Sequence, residues 1–285
     1  MGAVDMQHID LGAAKLTVLN LGDLEFALKD VISVPESVWR PRYGDLFERK
    51  MWFPSQSVLL SICGTLVLVD AGDYWKFATE GTEYVDRGYT PPPGLVEQLQ
   101  EMGVRAEQVK HLVITHAHYD HFAGVTTSKG DELVVTFPNA RHYLGRADWD
   151  WPELKNAIAN PSSNEAKSLG RLHQEGVLQL VSAETELVPG VSILPTPGES
   201  PGHQIVRIRS EGKTAYCVGD LFHSGVEVEN PDWMASWCDP QSNLKSRKTL
   251  IESASRENAV VIPGHMPPGR IVTAESGARY VELTV

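Results

Sequence analysis

The residues best suited to chemistry lie in one short run, His116-Ala-His118-Tyr-Asp120-His121. The run directly follows an apolar, β-branched segment at residues 111–115, which has the pattern of a buried strand. Alternate residues of an extended chain point the same way, so His116 and His118 can bind one metal ion. The turn after them can direct Asp120 and His121 toward a neighbouring ion. Because zinc usually takes about four ligands in proteins, this run needs further ligands from elsewhere in the chain.

Three more metal-binding side chains lie at the ends of predicted strands, each beside Gly or Pro. His203 stands just before one such strand, and Asp220 and His265 follow two others. Loops held by a rigid sheet are the usual place for such ligands. The full set has five histidines and two aspartates, and one shared carboxylate would let it serve two ions. A position would then remain for a bridging hydroxide.

The elements that must position these residues are short β-rich runs separated by Gly, Pro and Asp. Apolar and β-branched patterns predict strands at residues 15–21, 57–62, 65–69, 111–115, 191–195, 204–209, 214–218 and 259–263. Apolar spacing predicts helices at residues 94–102, 164–174 and 243–256. Runs of strands with helices between the later ones predict two packed sheets with helices outside. We expect one domain over residues 1–285.

Two stretches outside these elements are rich in aromatic residues. Residues 30–54 include Trp39, Trp52 and Phe53, and residues 148–161 include two tryptophans. Such side chains cover the edge of a core as readily as they line a pocket, and both interpretations stay open. On the second interpretation, residues 30–54 form a loop over the active site. Exposed aromatic side chains would suit a homodimer interface as well as a pocket.

Composition and charge exclude several classes of protein. The chain has 285 residues, of which 42% are hydrophobic and 22% charged, as is usual for globular domains. Its net charge of −12 provides no overall basic surface for nucleic acid or an anionic membrane, and neither partner is expected. Three cysteines without zinc-ribbon spacing favour free thiols over a disulfide framework. With no visible signal peptide and no apolar run long enough to span a bilayer, a cytoplasmic location is expected.

These motifs resemble the metallo-β-lactamase-fold superfamily, which carries a His-x-His-x-Asp-His segment followed by a His, an Asp and a His. The resemblance implies an α/β (α+β) fold, a four-layer αββα sandwich with a dinuclear metal site at one edge of its two sheets. It implies a first ion on His116, His118 and His203, a second on Asp120, His121 and His265, and Asp220 as the bridge. The implied cofactor is two divalent ions, zinc before iron, manganese or cobalt.

Asp70 ends a predicted strand in the sequence Leu-Val-Asp-Ala-Gly. It resembles the acid that orients a ligand histidine in this superfamily, and a simple turn cap is the alternative.

Within the superfamily, the likeness is greatest to the lactonase and methyl-parathion-hydrolase branch. Pro35-Glu36-Ser-Val-Trp39 resembles a loop over the active site in that branch, and Gly219-Asp220-Leu-Phe222-His223 resembles its Gly-Asp-x-x-His motif. The resemblance implies a small-molecule lactone, carboxylic ester or phosphotriester substrate. The residues expected to contact this substrate are Trp39, Trp52, Phe53 and Phe222.

Two positions depart from the family patterns. Glu199 replaces the first His of the usual Thr-Pro-Gly-His sequence, a His that is not normally a ligand. His223 stands where acyl-homoserine lactonases often have Tyr, three residues after the bridging Asp. His223 is therefore a candidate proton donor or substrate contact, and a histidine without chemistry is the alternative.

The mechanism implied by the resemblance is attack by a metal-bridging hydroxide on a carbonyl or phosphoryl centre. Asp120 would position the nucleophile or take a proton, and His223 would assist the leaving group. Three alternatives stay open: a glyoxalase II-like thioesterase, an iron-dependent redox protein on the same scaffold, and a binding protein without turnover. The thioesterase would normally have basic residues after the bridging Asp, and residues 224–232 contain no Lys or Arg.

Overall fold

A computed structural model of the protein describes residues 6–77, 88–275 and 277–283, and within them two seven-stranded sheets dominate the fold. The first sheet contains, in spatial order, β1 (Gln7–Leu11), β2 (Ala14–Ala27), β3 (Lys50–Ile62), β4 (Thr65–Val69), β5 (Val109–Val113), β8 (Arg141–Gly145) and β9 (Leu178–Val181). The second contains β10 (Thr185–Val188), β11 (Val191–Pro195), β12 (Gln204–Ser210), β13 (Lys213–Gly219), β14 (Val260–Pro263), β15 (Gly269–Ala274) and β16 (Gly277–Glu282). A separate hairpin pairs β6 (Thr126–Lys129) with β7 (Glu132–Val135).

The helices are mostly short. They are α1 (Leu28–Val31), α2 (Glu36–Tyr43), α3 (Tyr74–Phe77), α4 (Leu95–Glu101), α5 (Tyr119–Phe122), α6 (Arg146–Trp149), α7 (Pro152–Ala159), α8 (Arg171–Gln174), α9 (Gly225–Glu229) and α10 (Pro240–Arg256). A π-helical turn at Ala166–Gly170 leads into α8. The longest helix, α10, begins where the Asp239 carboxylate accepts a hydrogen bond from the Ser242 amide at 2.8 Å. Among the described residues, no helix is both long and apolar enough to cross a membrane.

The two sheets pack face to face, with helices on both outer faces. Successive side chains of a strand alternate between faces, so Val58 and Leu60 of β3 enter the core between the sheets while Leu59 joins the outer cluster with α4. The second sheet contributes Val206 and Ala215, among others, to the shared core. Its outer face packs against α10. The αββα sandwich expected from the sequence is confirmed.

The strand order brings the ends of several strands to one edge of the sandwich. In the first sheet β4 and β5 are parallel, and in the second sheet β13 and β14 are parallel. Hydrogen bonds between the two sheets join the loops at this edge. The backbone N–H of Gln204 donates to the Thr115 carbonyl at 2.9 Å, and the backbone N–H of Gln56 donates to the Gly264 carbonyl at 3.0 Å. Ligands at the ends of β5, β13 and β14 are therefore held together.

The segment at residues 30–54, expected to be a loop, is instead mostly regular structure. It contains α2, a 3₁₀ turn at Gly44–Leu46 and the start of β3, which pairs with β2 as far as Lys50 opposite Ala27. Its aromatic side chains form a small core of their own. Trp39 stacks on Phe47 at 5.0 Å between ring centroids. The packing of these rings against one another orders the segment.

Candidate metal centre

The His-x-His-x-Asp-His run leaves the end of β5 and turns into α5. His116 lies in the extended stretch before the turn, and His118 is the extended residue at which α5 begins. The Nε2 atom of His116 and the Nδ1 atom of His118 are 2.8 Å apart, so both side chains converge on one point as the spacing predicted. His121, within α5, has its ring centroid 4.2 Å from that of His116.

Asp220 lies at the centre of the cluster, directly after β13. Its Oδ1 atom is 3.2 Å from His121 Nε2, and its Oδ2 atom is 3.2 Å from His265 Nε2. The same Oδ2 atom is 3.7 Å from His116 Nε2. The carboxylate thus faces histidines of both predicted ligand sets, which is the arrangement a bridging residue requires.

A compact second group consists of Asp120, His121 and His265, whose ligand atoms all lie within 4.8 Å of one another. Asp120 Oδ2 is 3.2 Å from His265 Nε2 and 3.5 Å from His121 Nε2. The other ring nitrogen of His265 is 2.9 Å from the Pro54 carbonyl oxygen, which fixes the ring orientation.

The first group differs from the predicted set by one residue. Its ligand atoms within 4.8 Å of one another come from His116, His118, Glu199 and Asp220. His203 lies next to this group, with its ring centroid 5.3 Å from that of His116. Glu199, which sequence reasoning set aside, is therefore closer to the first group than expected. The sequence contained one signal for this position of Glu199, which is the acidic residue in place of the usual His.

Two buried aspartates hold the ligand loops. Asp70 accepts hydrogen bonds from the Thr115 amide at 2.7 Å and the Thr115 hydroxyl at 2.9 Å, and its Oδ2 atom is 2.9 Å from His121 Nδ1. Asp70 thus contacts one of the predicted ligand histidines, and its role in orienting that ring stays a prediction.

Asp148, which sequence analysis did not single out, joins the two ligand-bearing loops. It accepts hydrogen bonds from the Ala117 amide at 2.9 Å, the Ser200 hydroxyl at 2.9 Å and the Gly202 amide at 2.6 Å. Its carboxylate thereby fixes the loops that carry His116 and His203. Its sequence position, three residues after β8, gave no indication of these distant partners.

Burial and charge divide the histidines into two kinds. Burial lowers the pKa of His116 well below its ordinary value and the pKa of His203 to about 3, so both rings are neutral and able to bind metal. At His121 and His265 burial acts in the same direction but is outweighed by the carboxylates of Asp220 and Asp120. These raise the pKa of His121 well above its ordinary value and the pKa of His265 to about 10. Positive charge is therefore favoured beside these two aspartates.

The cluster fits divalent cations on three observations. Three buried atoms of predicted ligands have no hydrogen-bond partner, namely His121 Nε2, His203 Nε2 and Asp220 Oδ1. Leaving buried polar atoms unpaired is costly, and a bound cation would remove that cost. A Cβ atom at Gly264 would lie 2.5 Å from Asp220 Oδ1, so glycine leaves the carboxylate its space. Imidazole and carboxylate donors together suit zinc, iron, manganese or cobalt.

His223 is buried next to Asp220, with its Nε2 atom 3.6 Å from Asp220 Oδ2 and 3.8 Å from Glu199 Oε1. Its Nδ1 atom is 3.6 Å from Glu227, which in turn pairs with Arg247 at 2.6 Å. Burial favours the neutral ring, but these carboxylates raise the pKa of His223 well above its ordinary value. A protonated ring at this place is able to donate a proton.

The four aromatic residues expected to contact substrate differ in exposure. Trp39, Phe53 and Phe222 are buried, at 4%, 6% and 0% exposure, which leaves no open ring face for a ligand in this structure. Phe53 stacks on Phe26 at 3.8 Å. Trp52 is 46% exposed. Trp39 and Phe53 are buried in the small core described above, whereas Phe222 is buried in the cluster that packs against α10.

Comparison with known proteins places this geometry in a family. The family model of the Metallo-beta-lactamase superfamily matches residues 51–265, a range that includes all seven predicted ligands. The N-acyl homoserine lactonase AiiA from Bacillus thuringiensis subsp. kurstaki is 26% identical over 172 residues. That match covers 60% of this chain and 61% of the lactonase.

Solved structures show the same fold over nearly the whole chain. The hydrolase AbOPH of the beta lactamase superfamily has a TM-score of 0.79 at 17% identity, covering 100% of this chain and 99% of that one. AidC, a dizinc quorum-quenching lactonase solved with a product N-hexanoyl-L-homoserine, has a TM-score of 0.74 at 20% identity and covers 98% of both chains.

Proposed function

The chain belongs to the metallo-beta-lactamase superfamily, and we propose that it is a metal-dependent hydrolase that cleaves a lactone, a carboxylic ester or a related ester. The observation that carries the proposal is the Asp220 carboxylate between two groups of ligand side chains. The named activity of the lactonase relative supports a lactone or ester substrate. Two divalent ions held here would supply hydroxide at neutral pH and polarise the scissile bond.

The protein's own residues supply the remaining steps. Asp120, 21% exposed at its side chain, is the more accessible of the two central aspartates and would orient the attacking water or accept its proton. His223, on the other side of Asp220, would donate a proton to the leaving oxygen. For a lactone, the leaving oxygen stays attached to the product as a hydroxyl group.

The test is hydrolysis of a panel of lactones, aryl esters, thioesters and phosphotriesters by protein of measured metal content. We expect lactone or ester turnover that is lost, together with bound metal, in His116→Ala and Asp220→Ala. His173→Ala is the matched control, because His173 is an exposed histidine on α8 whose ring packs against Trp149. Full metal content and turnover in either ligand variant would overturn the proposal.

The same panel separates the remaining alternatives. Turnover confined to thioesters would favour a glyoxalase II-like enzyme. Bound iron with no hydrolysis of any substrate would favour redox chemistry on this scaffold.

A further inference from the structure

Trp237 lies beside the metal centre in the segment between α9 and α10. Its ring centroid is 6.2 Å from that of His118 and 6.1 Å from that of His223, with nearly perpendicular planes. It is 50% exposed. Trp237 therefore combines a large open apolar surface with closeness to both a predicted ligand and the predicted proton donor.

Glu199 fixes this exposed ring in place. The indole N–H donates to Glu199 Oε1 at 2.6 Å, and the thiol of the next residue, Cys238, donates to Glu199 Oε2 at 2.9 Å. Glu199 is 2% exposed, so its carboxylate is itself buried. Hydrogen bonds to a carboxylate are stronger than those between neutral groups. An aromatic side chain fixed before binding loses little conformational entropy when a ligand packs on it.

The polar groups around Glu199 include two histidines. The described polar partners of Glu199 are Trp237, Cys238, His118 and His223, none of them Lys or Arg. The nearest arginine in this network, Arg247, is fully buried and paired with Glu227. The ring of Trp237 offers apolar contact, and the nearest group that can carry a positive charge is His223 rather than a Lys or Arg side chain.

From these contacts we propose that Trp237 binds the apolar acyl or aryl part of an ester or lactone, and that Glu199 positions Trp237 for this contact. The inference rests on the proposed hydrolase function and adds the part of the substrate recognised. Glu199 acts through the indole N–H and need not touch the substrate. The two residues lie in different loops, so the contact is formed only in the folded chain.

The test compares Trp237→Ala, Trp237→Phe and Glu199→Gln in metal-loaded protein, using neutral esters whose acyl chains differ only in length. For Trp237→Ala we expect KM for the longest ester to rise about tenfold, equivalent to about 1.4 kcal/mol of binding. KM for the acetyl ester, kcat and metal content should change little. Trp237→Phe, which keeps an aromatic ring, should lose less. Glu199→Gln should raise KM for the longest ester when residue 237 is Trp, but add little in the Trp237→Phe background, where the indole N–H is absent. Because the Glu199 carboxylate also lies within 4.8 Å of the first group of ligand atoms, metal content is measured in this variant, and loss of metal there would overturn the positioning role of Glu199.

A second readout does not depend on turnover. Non-hydrolysable acyl amides of increasing length are titrated into wild type and Trp237→Phe, and the difference in tryptophan fluorescence reports contact with Trp237. A response that grows with acyl length supports the contact even if no ester is hydrolysed, in which case only the proposed function fails. An absent response, an equal rise of KM for short and long esters, or loss of metal in Trp237→Ala would overturn the inference.

Discussion

At Gly264 the backbone passes close to two of the predicted ligand residues. A Cβ atom there would lie 2.5 Å from Asp220 Oδ1 and 3.0 Å from His121 Cε1. We therefore expect Gly264→Ala to weaken metal binding by at least about tenfold, because the carboxylate must move. Gly94→Ala is the control, since a Cβ atom there meets its nearest described neighbour at 4.0 Å. Equal metal affinity of the two variants in a chelator competition would contradict this account of the site.

The pKa values of the ligand histidines predict how metal binding depends on pH. Carboxylates raise the pKa of His121 well above its ordinary value and that of His265 to about 10, so without metal both rings hold a proton at neutral pH. A metal ion must displace these protons, so affinity should rise from pH 6 to pH 8. The expected change is about tenfold per pH unit for each proton released. Calorimetric titrations in buffers of different ionisation enthalpy would measure the protons, and affinity independent of pH would refute the assignment.

The sequence indicated which candidate ligand residues would lie together because their signals are local. His116 and His118 follow a recognisable strand, and Asp220 and His265 stand beside glycines at strand ends. Asp148 and Trp237 were missed because their roles depend on partners distant in the chain. For Trp237 that partner is Glu199, 38 residues earlier.

At the scale of elements, Arg247 joins α10 to the chain that follows Asp220. Its guanidinium donates to the Leu221 carbonyl at 2.7 Å and pairs with Glu227 of α9 at 2.6 Å, and both charged side chains are fully buried. It also donates to the carbonyl of Trp233. These contacts connect the helix to the loop that carries His223.

Removing this arginine should destabilise the fold. Arg247→Met leaves the Glu227 carboxylate buried without its partner, at a cost of about 3–5 kcal/mol in the free energy of unfolding. Arg256→Met on the same helix is the control, because Arg256 is 61% exposed at its side chain and should change stability by less than about 0.5 kcal/mol. Urea unfolding measures both. Similar losses would show that the buried pair does not hold α10.

Eight strands were predicted from apolar or β-branched patterns, whereas the described strands β1, β6 to β10, β15 and β16 were missed. The predicted strands fall on β2 to β5 and β11 to β14, although β3 begins earlier, at Lys50. β15 and β16 were missed because half or more of their residues are only partly buried, so the hydrophobic pattern is weak. Helix α2 was missed because it contains Pro41, a residue that usually ends a helix.

At the scale of the whole molecule, the candidate metal centre lies between the two sheets. His116, His118, Asp120 and His121 follow β5 of the first sheet, whereas His203, Asp220 and His265 lie at strand ends of the second. Metal bound by both sets stabilises the folded state only, since the ligands are far apart in the unfolded chain. The expected gain is about 2.7 kcal/mol at a free metal concentration of 100 times Kd.

Chelation should therefore lower the unfolding midpoint of the wild type. In Asp220→Ala, which lacks the central carboxylate, the chelator should lower the midpoint by less than in the wild type. Thermal unfolding followed by circular dichroism would measure both. An equal effect of the chelator on the two proteins would mean that the stabilising metal binds elsewhere.

The αββα sandwich followed from the order of strands and helices together with the family resemblance, and the strand pairing bears it out. The regular structure of residues 30–54 did not follow. Its order comes from contacts among rings such as Trp39, Phe47 and Trp233, and Trp233 lies far away in the sequence. Such contacts leave no periodic pattern in a single sequence.

The central claim is a two-metal site built around Asp220, and its most direct test is metal stoichiometry. Wild type and Asp220→Ala would be dialysed to equilibrium against zinc, and the bound metal measured by elemental analysis. We predict two zinc ions per wild-type chain and the loss of at least one in the variant. A wild-type chain that binds no zinc, or a variant that keeps the full complement, would contradict the account.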